Sequence, residues 1–200
     1  MKVPDPIELA LLMAGILEDL GVTYVLGGSI ASTLHGEPRA TLDVDIVAAL
    51  RDEHLPALRD RLGEEFYLPQ EGMRKAVREH GSFNLIHIPT GMKVDVFIPP
   101  ATGIHEEKWR RRQRVVLQKE PERSIWVTDP EDIVLQKLDW YRRGGPVSQM
   151  QWRDALGVLK VQAGRLDHRH LRKWAAAMGM SALLEKALAA AGIAEEGSAG

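Results

Sequence analysis

Between residues 7 and 20, apolar side chains recur at 9, 12, 13, 16, 17 and 20, the spacing of a helix with one buried face. Gly21 then stands where a helix-ending glycine is favoured. The β-branched and aromatic run 22–26 predicts a strand, followed by a Gly27–Gly28 turn with Ser29 placed to cap a short helix reaching about Leu34. After a loop over 35–41, LDVDIV (42–47) alternates with a period of two, as does KVDVFI (93–98). Both read as strands, with Leu42, Val44 and Ile46, and Val94, Val96 and Ile98, turned to the core. Between them we expect a helix over 52–62 in which Pro56 argues against the full length, a strand near 65–68, a basic segment 73–80 and a strand at 83–88. Pro89-Thr90-Gly91 makes 83–88 and 93–98 a hairpin. Short strands at 115–117 and 124–127 come next. Beyond them, Thr128 or Asp129 caps a helix that starts with Pro130, runs to about Arg142 and ends at Gly144-Gly145-Pro146. Further helices are predicted over 148–161, 167–178 and 181–191. The pattern divides the chain into an α/β domain (1–128), a helical region (129–192) and a small, acidic tail (193–200) expected to be disordered.

Composition narrows the classes. At 44% hydrophobic and 27% charged, the 200 residues are those of an ordinary globular protein, and a net charge of −2 gives no support for a strongly basic nucleic-acid binder. Cysteine is absent, which excludes disulfides, thiolate nucleophiles and cysteine-based zinc sites. Residues 1–6 hold one lysine and two prolines, and the apolar stretch 9–17 ends at Glu18-Asp19, so no signal peptide is read. No run reaches the roughly 18 apolar residues of a membrane span. The expectation is a soluble, cytoplasmic protein with no membrane partner.

Against this background three carboxylates stand out. Side chains two apart on a strand share a face about 7 Å apart, so Asp43 and Asp45 point the same way, and Asp95 repeats the arrangement on its own strand. Grouped carboxylates repel one another, and a hard divalent cation such as Mg²⁺ among them relieves that repulsion. The bland alternative is three solvated residues at strand edges; the upstream Gly-Gly-Ser turn and the separate strand of Asp95 favour the metal. The basic run Lys108-Trp109-Arg110-Arg111-Arg112-Gln113-Arg114 reads as a solvated face in preference to an RNA contact. His168 and His170, two apart, do not share a helix face, and no metal site is expected there. Trp126, Trp140, Trp152 and Trp174 are expected as core or interface anchors. Walker A, GxSxG and HExxH motifs are missing.

The stretch GGSIASTLHGEPRATLDVDIV, with the later Asp95, resembles the DNA polymerase β-type nucleotidyltransferase superfamily, and within it small prokaryotic members such as the AbiEii-type toxins and MNT-like proteins. The resemblance covers about 22–160. It implies a mixed sheet flanked by helices and followed by a C-terminal helical bundle. It also implies two Mg²⁺ ions on Asp43, Asp45 and Asp95, the last also able to deprotonate the attacking hydroxyl. The triphosphate of an NTP would lie at Gly27, Gly28 and Ser29. Arg39 and Thr41 match the Arg and Ser/Thr that precede the family's D-x-D. PEDIVLQKLDWYRRGGPVSQMQWRDALGVL resembles the helical part of the same group, in which Lys137 and Asp154 match a lysine and an aspartate facing the active site; such a lysine neutralises charge developing in transfer. The implied activity is NMP transfer from an NTP to a hydroxyl acceptor with release of pyrophosphate. The acceptor would be a tRNA or other RNA 3′ end, a protein or a small molecule, and the setting a toxin–antitoxin system with a cognate protein partner. The competing class is a catalytically silent nucleotide-binding or interaction protein that keeps the fold.

Overall fold

The computed structural model describes residues 5–145 and 148–193. The tail expected to be disordered lies, from residue 194 on, outside the described residues, as does Pro146. The described residues separate into two compact units, one comprising residues up to Ile30 together with Ala40–Thr128, the other comprising Ala31–Arg39 and the residues from Asp129 onward.

In the first unit, helix α1 (Pro6–Asp19) is set by its ends: the Asp5 carboxylate accepts from the backbone N–H of Ile7 and Glu8 at 3.0 and 2.9 Å, and Pro6 occupies the first turn. Seven strands follow: β1 (Tyr24–Leu26), β2 (Val44–Ala48), β3 (Phe66–Tyr67), β4 (Ser82–His87), β5 (Met92–Phe97), β6 (Gln113–Lys119) and β7 (Glu122–Val127). They form one mixed sheet in the order β3-β4-β5-β2-β1-β7-β6. β2 runs parallel to β5 and β1 parallel to β7, while the other neighbours are antiparallel. Alternation does what the sequence pattern demands in the centre: Val44, Ile46, Val94 and Val96 are buried, as are Phe83 and Leu85 of β4. Helix α1 covers β1, β2 and β7 and touches α3 (Leu55–Leu62), while α4 (Gln70–Glu79) lies on β4. The short α2 (Gly28–His35) and α5 (Ile104–Arg111) complete the elements up to β7.

Several expectations are corrected. Strand β2 starts at Val44, so Leu42 lies before the strand and is 72% exposed instead of turned to the core. Helix α2 already begins at Gly28, which puts Ser29 inside its first turn and not at the cap. The basic segment 73–80 is the exposed side of α4, which buries only Met73 and Ala76. Residues 108–111 close α5, whereas 113–114 open β6. None of the four tryptophans is fully buried: Trp140 is exposed, and Trp126 lies under the guanidinium groups of Arg112 and Arg114 at 4.6 and 5.3 Å.

In the second unit, α6 (Pro130–Arg143), α7 (Ser148–Gln162), α8 (His168–Ala177) and α9 (Ser181–Ala190) pack through Ile133, Leu138, Val158, Leu159, Leu171 and Leu184. Helix α6 starts as its sequence dictates, with Asp129 accepting from the N–H of Asp132 at 2.8 Å and Pro130 in the first turn. Gly36 explains how closely the segment after α2 approaches α7: a Cβ there would lie 2.7 Å from the backbone nitrogen of Val158. The start of α6 is tied to α8 by a buried polar contact. His170 Nε2 lies 2.9 Å from Asp132 Oδ1, and both groups are buried. No helix among the described residues is long and apolar enough to cross a membrane.

Asp132 is fully buried, and its Oδ2 has no hydrogen-bond partner among the described side chains and backbone. Removing the imidazole therefore strands a carboxylate in the helical core. His170→Ala is expected to lower stability by about 3 kcal/mol, read as an earlier urea midpoint, with His170→Gln recovering part of the loss.

Candidate functional site

The register of the two central parallel strands decides which carboxylates meet. Asp45 of β2 pairs with Asp95 of β5, so their side chains leave the sheet next to each other on the face opposite Val44, Ile46, Val94 and Val96. Asp43 lies just ahead of β2 and is exposed; its backbone N–H donates to Thr41 Oγ1 at 3.3 Å, which fixes the turn into the strand.

Gly28 lies directly against the Asp45 side chain. A Cβ on Gly28 would fall 1.9 Å from Asp45 Oδ2 and 2.7 Å from Asp45 Cβ, and the residue has φ +57°. Only glycine lets the first residue of α2 lie directly against that carboxylate. Gly27 donates its N–H to the backbone oxygen of Asp45 at 2.8 Å, locking the glycine turn to β2. The result is a carboxylate beside a helix N-terminus, where the amides at the start of α2 provide a positive end for anions.

Asp95 is held by two donors. Asn84 Nδ2, directly across on β4, donates to Oδ1, and the Lys93 ammonium lies 2.7 Å from Oδ2. The hydrogen bond to Asp95 raises Lys93 above the ordinary lysine value; burial opposes the shift, and the charges of Asp95, Asp43 and Asp45 reinforce it. Lys93 therefore feels all three carboxylates.

The donor set fits a hard divalent cation. Three carboxylates supply only oxygen ligands, two of them in register on adjacent strands, and the Gly28 cradle holds one of them against a helix N-terminus where phosphate oxygens are also favoured.

The remaining residues singled out in the sequence gather within the second unit. Asp154 of α7 accepts from Arg39 Nε at 3.0 Å and Nη2 at 3.1 Å, and from Lys137 Nζ at 2.8 Å. The Arg39 pairing is two-pronged, the geometry in which guanidinium and carboxylate match best. Lys137 is buried with only 4% of its side chain exposed, so it is no solvated helix residue, and Arg39 pairs with Asp154. Burial pushes Asp154 up, but the hydrogen bonds from Arg39 and Lys137 and their charges outweigh it, and its carboxyl is held below the usual aspartate range.

Sequence reasoning missed two features. Asn84 and Lys93 look like ordinary strand-surface residues until the hairpin register is known. The buried group of Asp129, Asp132 and His170, whose ligand atoms all lie within 4.8 Å of one another, joins residues of two helices. In the sequence the only neighbour of His170 with the same chemistry is His168, two residues away and off its helix face. The spacing would admit a cation, yet His170 Nε2 and Asp132 Oδ1 already hold each other, and Asp129 Oδ1 caps α6.

Two outcomes follow. Gly28→Ala should drive Asp45 out of place and unfavourably constrain φ, costing at least about 1 kcal/mol in thermal unfolding and weakening Mn²⁺ binding in titration calorimetry. The stabilisation from Asp154 is whole above the ordinary aspartate range, because the unfolded chain takes up the proton first as pH falls, and it is lost as pH drops through the lowered native value. The difference in urea midpoint between the wild type and Asp154→Asn should thus shrink from neutral pH to about pH 3.

No protein-family model matches the sequence, and no curated protein matches it. Solved structures do. The antigenic nucleotidyltransferase-like protein from Paracoccidioides brasiliensis superposes with a TM-score of 0.51 at 15% identity, covering 94% of this chain and 91% of that one. The antibiotic-resistance factor ANT(2'')-Ia gives a TM-score of 0.49 at 16% identity over 92% of this chain and 97% of that one. The fold of this chain, with its seven-stranded mixed sheet flanked by helices, is nucleotidyltransferase-like.

Proposed function

We propose that this chain is a Mg²⁺-dependent nucleotidyltransferase that moves an NMP group from an NTP to a hydroxyl acceptor and releases pyrophosphate. The observation that carries this reading is the pairing of Asp45 with Asp95 on adjacent parallel strands, with Asp45 packed against the glycine that opens α2. Asp43, Asp45 and Asp95 would hold two Mg²⁺ ions, which supply charge neutralisation and polarisation at the reacting phosphate. The amides at the start of α2, from Gly28 and Ser29, take the triphosphate oxygens. The acceptor oxygen forms the new bond to the α-phosphorus while its proton passes to Asp95. The bond from that phosphorus to the bridging oxygen breaks, and pyrophosphate leaves.

The acceptor decides the biology. Among the small prokaryotic members that the sequence resembles, an RNA 3′ end or a partner protein in a toxin–antitoxin pair is the favoured reading, with a small hydroxylated molecule the other. The purified protein is incubated with each α-³²P-labelled NTP, Mg²⁺, total cellular RNA and protein, and a small-molecule fraction. Label on small RNA, on a protein or on a small molecule names the acceptor class. Asp45→Asn should lower labelling by at least about a hundredfold while keeping the fold, since it removes a direct ligand and relieves carboxylate repulsion. Retained labelling in Asp45→Asn would refute the assignment. Mg²⁺-dependent NTP binding without label in any fraction would favour the catalytically silent, nucleotide-binding alternative.

A further inference from the structure

We propose that Lys93 is a positioning residue that acts as a built-in cation of the carboxylate cluster, competing with a divalent ion for Asp95 Oδ2 and so setting how tightly that ion is bound. The inference rests on the metal reading above, and it concerns residues to which neither the sequence pattern nor the resemblance gives a part.

The geometry is specific. Lys93 and Asp95 are two apart on β5, so they leave the sheet on the same face, and the side chains reach each other along the strand at 2.7 Å. Asn84 reaches the other oxygen of Asp95 from across the hairpin. The two donors differ in what they do. Asn84 is neutral and occupies Oδ1, fixing the carboxylate plane without cancelling its charge. Lys93 occupies Oδ2 with a full positive charge. An ammonium and a divalent cation cannot share that oxygen at close range without strong repulsion. For a cation to take Oδ2, Lys93 must swing away, and its side chain, 43% exposed, has the solvent-facing freedom to do so.

The same arrangement explains how like charges on neighbouring interior strands are tolerated together. Lys93 is close enough to all three for each to act on it. With its Oδ2 held by the ammonium, Asp95 is a ligand whose availability is conditional. A lysine in this position would hold the affinity for free divalent ions low and favour occupation when an ion arrives together with the phosphates of a nucleotide, whose negative charge gives the displaced ammonium a new partner.

The test is Mn²⁺ binding to the full chain by titration calorimetry, without nucleotide and without any activity readout. Lys93→Met and Lys93→Gln should each bind Mn²⁺ about five- to tenfold more tightly than the wild type, the scale of one partly exposed ion pair. Lys93→Arg should stay near the wild type, and Asn84→Ala should bind about tenfold more weakly because Asp95 loses its orientation. Adding a non-hydrolysable NTP should narrow the gap between Lys93→Met and wild type. Equal or weaker Mn²⁺ binding in both neutral variants, with binding still abolished in Asp45→Asn, would overturn the role of Lys93 and leave the metal site standing. Absence of Mn²⁺ binding from wild type and all variants alike would overturn both.

Discussion

Holding like charges side by side is the constraint on which the first unit is organised. The parallel register of β2 with β5 places Asp45 next to Asp95, and nothing in the apolar face of either strand requires aspartate there. The repulsion between them opposes folding, and the fold answers it locally on each carboxylate. Asp45 is set against the glycine at the positive end of a helix, while Asp95 is gripped by a neutral donor on one oxygen and a cation on the other. Such compensation stands at positions where a threonine or valine would suit the strand better, so here the carboxylates and the strand's own preference pull apart.

The second unit solves a related problem with a different balance. Asp154 and Asp132 both hold their carboxylates away from solvent, and each is gripped from another helix or loop: Asp154 by Arg39 and Lys137, Asp132 through one oxygen by His170. Asp154 is over-supplied with positive partners, which is why its proton is held so weakly despite burial. Among the described residues one oxygen of Asp132 has no hydrogen-bond partner, which makes it the more fragile of the two. Charge here fixes the packing of helices whose apolar contacts, of Ile133, Leu138, Val158 and Leu171, are non-directional.

Much of this was legible in the chain because local chemistry and tertiary demand agree. The capped starts of α1 and α6, the glycine stops, the hairpin and the buried face of β5 all follow from period and turn residues. Failures came where one of those signals was diluted. Leu42 continues the alternation of LDVDIV by one step, but the strand has not yet begun there, and alternation carries no information about where pairing starts. Helices α4 and α5 are so polar that only two residues of α4 and none of α5 are buried, too few to show a period. Arg39 with Asp154, 115 residues apart, is a pairing that spacing alone cannot reach; the resemblance pointed to both residues without joining them.

Asn84 is a subtler case, since its place was derivable. In the hairpin that the Pro89-Thr90-Gly91 turn closes, His87 pairs with Met92. Counting back three residues on one strand and forward three on the other brings Asn84 opposite Asp95. A slip of one residue would set Phe83 or Leu85 against the carboxylate and expose the apolar face of β4, so burial of Phe83, Leu85 and His87 permits only this register. The hydrophobic pattern that builds the core is thus the same pattern that delivers a donor to Asp95. Lys93 needs still less, being two residues before Asp95 on the same strand. What hid both was treating the polar face of a strand as solvated surface. Where neighbouring interior strands gather carboxylates, the polar residues across and along the strand become their partners.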